Sequence, residues 1–361
     1  MMLSDKVLRK KFGFRLTTSC ILAAIALVLV IAGTVTAAGR PKTVAELALY
    51  KGADRQQILE EGAKKEGKLV FYTTGTQAKW IAKAFQKKYP YIKMQLYRAG
   101  SRKLLPRVLE EYKIGKHVVD VIGPTQMMET VLKESGILEP FYSPELAYIE
   151  ESAIRKAPGG GVFSAGHFSS GRGVGWNTNL TTKDQIPNTY QDLLDPKWKG
   201  KMTIIGASTG VLWMGAILNA HGEEFVKKLA KQQFTVHMIS GRALNDMIIA
   251  GEYAFSPSIT DSHVAKSKQM GAPVDWIPLE PSGCNLGQIT LPKHSAHPHA
   301  ALLYIDFDLS KQAGDIYRAE GYNSLRKDVA NLRTYKKDYV FNSTKDAVNL
   351  TDLFDKLFLK R

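Results

Sequence analysis

Along the chain, short apolar strands alternate with amphipathic helices, and polar turns join them. Residues Val44 to Glu66 carry apolar positions at helical spacing, and Gly67 ends that stretch. Lys68-Leu69-Val70-Phe71-Tyr72 follows as a strand rich in β-formers, then the turn Thr73-Thr74-Gly75-Thr76 and a helix over Ala78–Lys88. The order recurs as strand Ile92–Tyr97, turn Ala99-Gly100-Ser101 and helix Lys103–Tyr112. A third copy has strand Val118–Ile122, turn Gly123-Pro124-Thr125 and helix Met127–Glu134, stopped by Gly136. Strands alternating with helices in this way predict an α/β fold with a doubly wound, mostly parallel sheet.

The texture changes after Pro158-Gly159-Gly160-Gly161. Val162–Phe168 and Gly173–Asn177 read as two extended segments separated by a Ser/Gly/Arg stretch. A second α/β series then begins with strand Met202–Ile205, the turn Gly206-Ala207-Ser208-Thr209-Gly210 and an apolar helix to about Ala220. Glu223–Lys231 and Ala243–Ala250 are helical, with Ser240-Gly241-Arg242 as the turn between them. Glu252–Ser256, Asp275–Leu279 and Gly287–Leu291 are extended, and the remainder is mostly helical. Several polar turns thus connect a strand end to a helix start. In open α/β sheets ligands sit at such places, where free helix N-terminal N–H groups favour negative charge.

The first 38 residues stand apart. Lys6, Arg9, Lys10, Lys11 and Arg15 precede an uncharged run from Leu16 to Val35 and the small residues Thr36-Ala37-Ala38. A positive start, an apolar middle and a small-residue end make a secretory signal. The apolar run also approaches the ~20 residues that span a bilayer, so an uncleaved anchor is the alternative. Either way the body is expected on the far side of a membrane, in the periplasm or tethered to it. A protein starting near Ala38 or Gly39 would exclude the tether.

Lys and Arg outnumber Asp and Glu by 15 over the whole chain; the leader holds five basic residues and one acid, which leaves the body at +11. Such a surface attracts anions in general. The lysines are scattered and no motif interleaves them with aromatics, so nucleic acid is not an expected partner. Cys284 is the one cysteine outside the leader, and no intramolecular disulfide can form.

At Asp192-Leu193-Leu194-Asp195-Pro196-Lys197-Trp198-Lys199-Gly200-Lys201-Met202 the chain resembles the bacterial extracellular solute-binding proteins. That group includes the periplasmic ferric-iron-binding proteins of ABC importers. Further matching segments follow in order: Gly67 to Thr74, Gly251-Glu252-Tyr253-Ala254, His297-Pro298 before Ala300-Ala301, and Gly321-Tyr322-Asn323-Ser324-Leu325-Arg326-Lys327-Asp328-Val329. The physics of the first phrase is structural: Pro196 fixes a turn, Trp198 plugs a core and Gly200 admits a turn. The resemblance implies a two-lobed type II periplasmic-binding fold, each lobe α/β, joined by two crossing strands. It places the N-terminal lobe at 41–167 plus 287–361 and the second lobe at 168–286. It also implies a monomeric receptor, without cofactor or catalysis, that closes on a small solute and presents it to a permease in the inner membrane.

The iron-binding relatives use a tyrosine pair, which here reads approximately Asp261-Ser262, and no Tyr-Tyr pair occurs in the chain. Their histidine position falls in Gly75-Thr76-Gln77, and their glutamate position at about Thr125. What does match is the anion-handling set. The resemblance implies ligand contacts from Ser208, Thr209 and Gly210, and the residues add Ser240 and Arg242 at a second helix start. Thr73, Thr74, Thr76, Ser101 and Thr125 would face them from the first lobe, with Arg172 near the first crossing and Trp176 as a wall. Each hydroxyl has helix capping as its rival role. The expected solute is a small organic anion or an oxyanion, with ferric iron or another metal as the alternative.

Two other constellations compete. His294, His297 and His299 invite a metal site, although Pro298 beside His297 reads as a helix start. Cys284, near the return crossing, would be a nucleophile if a base activated it, and spacing assigns it no histidine.

Overall fold

A computed structural model of the chain describes residues 40–206, 208–338 and 344–359. The apolar leader lies outside the described residues. Among those described, no helix is long and apolar enough to cross a membrane.

The body opens with two helices, α1 (Val44–Leu49) and α2 (Arg55–Glu66), where the periodicity predicted one. Tyr50 turns to extended backbone and separates them. Gly67 ends α2 in the left-handed conformation (φ 62°), its N–H bonded back to the Ala63 carbonyl. Three parallel strands follow: β1 (Lys68–Thr73), β2 (Lys93–Arg98) and β3 (Val121–Gly123), in the order β2-β1-β3. Between and after them run α3 (Ala78–Lys88), α4 (Ser101–Lys113) and α5 (Gln126–Glu134).

Strand periodicity explains the layers. Leu69 and Phe71 point to one face of β1 and pack with Phe85, Tyr304 and Phe307. Val70 and Tyr72 point to the other and pack with Leu104, Val108 and Leu132. Both faces are covered by helices, as a parallel sheet requires. Two short strands, β4 (Leu138–Glu139) and β5 (Ile154–Lys156), then lead to the long strand β6 (Val162–Asn177).

β6 joins the two extended segments read in the sequence into one strand that passes from lobe to lobe. The second lobe contains β7 (Thr203–Ile205), α6 (Ser208–His221), α7 (Glu223–Ala230), β8 (Thr235–His237), α8 (Gly241–Ala250), β9 (Phe255–Thr260), α9 (Asp261–Gln269) and β10 (Val274–Pro278). β9 starts later than predicted because Gly251 caps α8 with φ 83° and the next residues form the turn. β7 and β8 are parallel, while β9 and β10 pair antiparallel with the far half of β6. The return crossing is β11 (Ser282–Ile289), antiparallel to the near half of β6. Where β6 meets β10, a Cβ on Gly173 would lie 2.1 Å from the Ile277 carbonyl oxygen, so only glycine permits the approach.

β12 (Leu291–Pro292) pairs with β4, and α10 (Pro298–Leu309) and α11 (Lys311–Ala319) complete the first lobe. β13 (Asn323–Ser324) pairs with β6 and β14 (Lys337–Asp338) with β11. The final helix, α12 (Thr344–Phe354), continues as a wider turn over Asp355–Leu359. Its placement corrects the expectation that all of 287–361 belongs to the first lobe. Leu350, Phe354 and Phe358 enter the second-lobe core beside Trp213 and Phe234. Apolar side chains at helical spacing settle against the core that can bury them, whichever lobe precedes them in the chain. Phe354→Ala should therefore destabilise the second lobe by about 3–5 kcal/mol, read from urea unfolding of the variant against the parent.

Candidate functional site

Six helix N-termini converge on the space between the lobes. From the first lobe come the starts of α3 at Gln77, α4 at Ser101 and α5 at Thr125; from the second come α6 at Ser208, α8 at Ser240 and α9 at Thr260. They line a cavity of about 310 Å³. Each helix start brings unpaired N–H groups and a partial positive charge. Among the described residues the lining holds Arg98, Arg172, His167 and His263 and no Asp or Glu.

Arg172 is the buried cation of this cavity. It sits on β6, 5% exposed, and lines the cleft. Its Nη1 donates to the Ser170 carbonyl at 3.0 Å, and its Nε has no partner among the described residues. No described carboxylate lies within ion-pair distance of it. Burial pulls its pKa down from the usual value, while Cys284 and Asp261 act in the opposite direction. An arginine keeps its charge under such conditions.

The hydroxyls serve the backbone and the cavity together. Thr73 Oγ1 donates to the Gly123 carbonyl at 3.1 Å and accepts from the Gly75 N–H at 3.0 Å, which fixes the first turn. Thr74 Oγ1 donates to the same carbonyl at 3.3 Å. Thr125 Oγ1 accepts from the Met128 N–H and lies 3.2 Å from Ser101 Oγ, so it caps α5. Ser240 caps α8 by accepting from the Ala243 N–H at 3.1 Å. Thr76, together with Ser262 from the opposite lobe, approaches the Tyr322 hydroxyl.

Of the residues singled out in the sequence, Thr73, Thr74, Thr76, Ser101, Thr125, Arg172, Ser208, Thr209 and Ser240 come together in this lining. Four do not. Trp176 is buried with Phe255 and Tyr190 in the second-lobe core, because its position on β6 points away from the cleft. Gly210 is a packing glycine: a Cβ there would lie 1.9 Å from the Ile205 carbonyl oxygen and against the Phe354 ring. Arg242 turns to Ser267 Oγ (3.1 Å) and the His263 carbonyl on α9. Asp261 is fully buried and accepts from the Tyr335 hydroxyl at 2.7 Å, with Arg333 3.6 Å away. Burial raises its pKa, and Arg333 and Tyr335 offset this.

Sequence reasoning missed several lining residues. His167 lies five residues before Arg172 on β6; its Nδ1 is 2.6 Å from Asp308 Oδ2, and Tyr317 donates to the other oxygen of that carboxylate at 2.5 Å. With Nδ1 committed to Asp308, Nε2 is the nitrogen left for the cleft. Asn285 and Gln288 come from β11, and Gln77 and Tyr322 from the first lobe. The available signal was the density of polar residues in strands that pattern alone made central.

The rival constellations separate. His297 meets Asp120 at 2.9 Å, His299 meets Glu66 at 2.6 Å, and the His294 ring lies tilted against that of His117. Among the described residues no group of three His, Cys, Asp or Glu side chains is placed to hold a metal. Cys284 is fully buried in the apolar cluster around Ile205 and Trp276.

Residues 119–345 match the family model for bacterial extracellular solute-binding proteins. The chain belongs to that family. Its members are the solute-binding receptors of ABC transporters. An uncharacterized protein of Haemophilus influenzae is 26% identical over 273 residues, spanning 72% of this chain and 78% of the relative. Among solved structures, iron-bound HitA from Pseudomonas aeruginosa superposes with a TM-score of 0.68 at 18% identity, covering 80% of this chain and 99% of that one. AfuA from Actinobacillus pleuropneumoniae, with fructose-6-phosphate bound, gives 0.66 at 23% identity, covering 82% and 100%. The fold is thus the type II periplasmic-binding fold.

His263, on α9 beside the cleft, is driven neutral. Burial lowers its pKa to about 3, and the charges of Arg242 and Arg172 add to the effect. Unfolded, it takes up a proton near pH 6.5. Between those values the unfolded chain binds the extra proton, so this group stabilises the fold above about pH 6.5 and its contribution falls as pH drops toward 3. Urea unfolding at pH 7 and pH 4.5 should show His263→Gln losing less stability on acidification than the parent, by up to about 1.4 kcal/mol per pH unit.

Proposed function

We propose that this receptor captures a small organic anion, such as a carboxylate, phosphonate or phosphate ester, and delivers it to an inner-membrane ABC permease from the periplasm. Arg172 carries the reading: a buried guanidinium lines the cleft, donates to the Ser170 carbonyl, and has no carboxylate in ion-pair range among the described residues. A carboxylate or phosphate would accept the forked contact that such a group offers. The surrounding helix starts and the hydroxyls of Thr76, Ser101, Ser208 and Thr209 would take the remaining oxygens. In this reading the protein works as a monomer by binding and release, without catalysis.

The relatives bracket the chemistry: one structural neighbour holds iron and another a sugar phosphate. Ferric iron favours anionic oxygen ligands, and the described lining supplies no carboxylate and a single phenol, Tyr322, which burial keeps protonated to higher pH. That supports the anion over the bare metal.

Titration calorimetry of the mature protein against a panel of small anions and ferric citrate tests the reading. Arg172→Met should weaken the best anion by roughly 100-fold or more, the loss expected for a desolvated charge pair. It should also leave the unfolding temperature unchanged or raised, because an unpaired buried charge is replaced by an apolar chain. Unchanged affinity in this variant, or tyrosinate-to-iron absorption with ferric ion alone, would overturn the proposal.

A further inference from the structure

A second cavity, of about 340 Å³, opens from the one around Arg172. The two share Ser101, Thr125, Ser208 and Asn285, so they are compartments of one cleft. Their walls differ. The first is lined by helix starts, hydroxyls and the buried Arg172; the second is walled by Met127 of α5 and by Val211 and Leu212 of α6. Its far side is the C-terminal helix, through Thr351 and, one turn on, Asp355.

We infer that the solute carries, beyond its anionic group, a less polar body that occupies this second compartment against the C-terminal helix. The inference rests on the anion reading above and adds the size and shape of the cargo. A lone inorganic oxyanion at Arg172 would leave the apolar compartment to water, which makes few hydrogen bonds against Met127, Val211 and Leu212. A carbon skeleton there removes apolar surface from water on both partners. The far wall is fixed in place, because Phe354 and Phe358 flank Asp355 and are buried in the second-lobe core. Thr351 and Asp355 can accept a hydrogen bond from a hydroxyl or amino group at the distal end of the body. Arg102 and Asp355 both line this compartment, so its charges are of both signs, and the cargo class is an organic anion with a compact, largely apolar body.

Matched pairs of probes test this: inorganic phosphate against phenyl phosphate, and formate against benzoate, each titrated by calorimetry into the full protein. The larger member should bind roughly ten-fold tighter or more. Thr351→Trp and Met127→Trp, each of which fills the compartment with an indole, should abolish that preference while changing the affinity for the small member less than about two-fold. Thr351→Trp lies outside the buried core, so it separates blockage from misfolding. A protein that binds the small anions but prefers neither member, or variants that keep the preference, would overturn the second compartment and leave the anion reading standing. A protein that binds none of the four probes loses both.

Discussion

A positive charge sealed into the pivot between the lobes sets the terms for the rest of the molecule. The backbone of Arg172 is held where β6 and β11 cross, because Ser282 Oγ donates to the Arg172 carbonyl at 2.6 Å. Its guanidinium is kept from water without a carboxylate in contact among the described residues. Burying an uncompensated cation costs several kcal/mol, and a protein tolerates it where something else supplies the countercharge part of the time. The six surrounding helix starts have the same sign as the guanidinium. They therefore add to its demand for an anion and do not offset it.

On the proposed reading, that arrangement couples binding to closure. The first lobe contributes the starts of α3, α4 and α5, and the second those of α6, α8 and α9, so neither lobe alone surrounds an anion. Tyr322 of the first lobe and Ser262 of the second line the same cleft. A negative solute in the cleft attracts both sets of dipoles and lowers the free energy of the closed form by mass action. The crossing strands, together with the later passage of the chain to α12, link lobes that otherwise have their own cores, on both faces of β1 in the first and around Trp213 and Trp276 in the second.

Much of the scaffold was legible because its signals are local. The alternation of Leu69 and Phe71 with Val70 and Tyr72, and the helix over Ala78–Lys88, reflect periods that need no tertiary information. The helix-start hydroxyls were legible too, since a capping residue is also a residue beside free N–H groups. Other features depend on contacts between distant segments. The run Ser169-Ser170-Gly171-Arg172 reads as a break between two extended segments, yet pairing with β11 on one side makes it the middle of one strand. Trp176 and Arg242 have the composition of site residues, but strand facing and the position of α9 turn them elsewhere. The helix at the C-terminus has an apolar face that two cores compete for, and local sequence does not say which one receives it.

The contest between an anion and a hard cation reduces to which partner must bring the negative charge. A ferric ion bound by protein alone needs several anionic oxygens. Tyr322 is the one phenol in the described lining, and its proton is held by burial. A metal entering this cleft would have to arrive with its own carboxylates or phosphates. Arg172, the helix starts and the hydroxyls would then contact those groups and not the metal. On the proposed reading the recognised surface is an oxyanion in both cases, and discrimination among oxyanions falls to what is attached behind it. The apolar walls formed by Met127, Val211 and Leu212 are where this cleft departs from a simple anion cradle. Selectivity therefore depends on the fit of the cargo's body as much as on its charge.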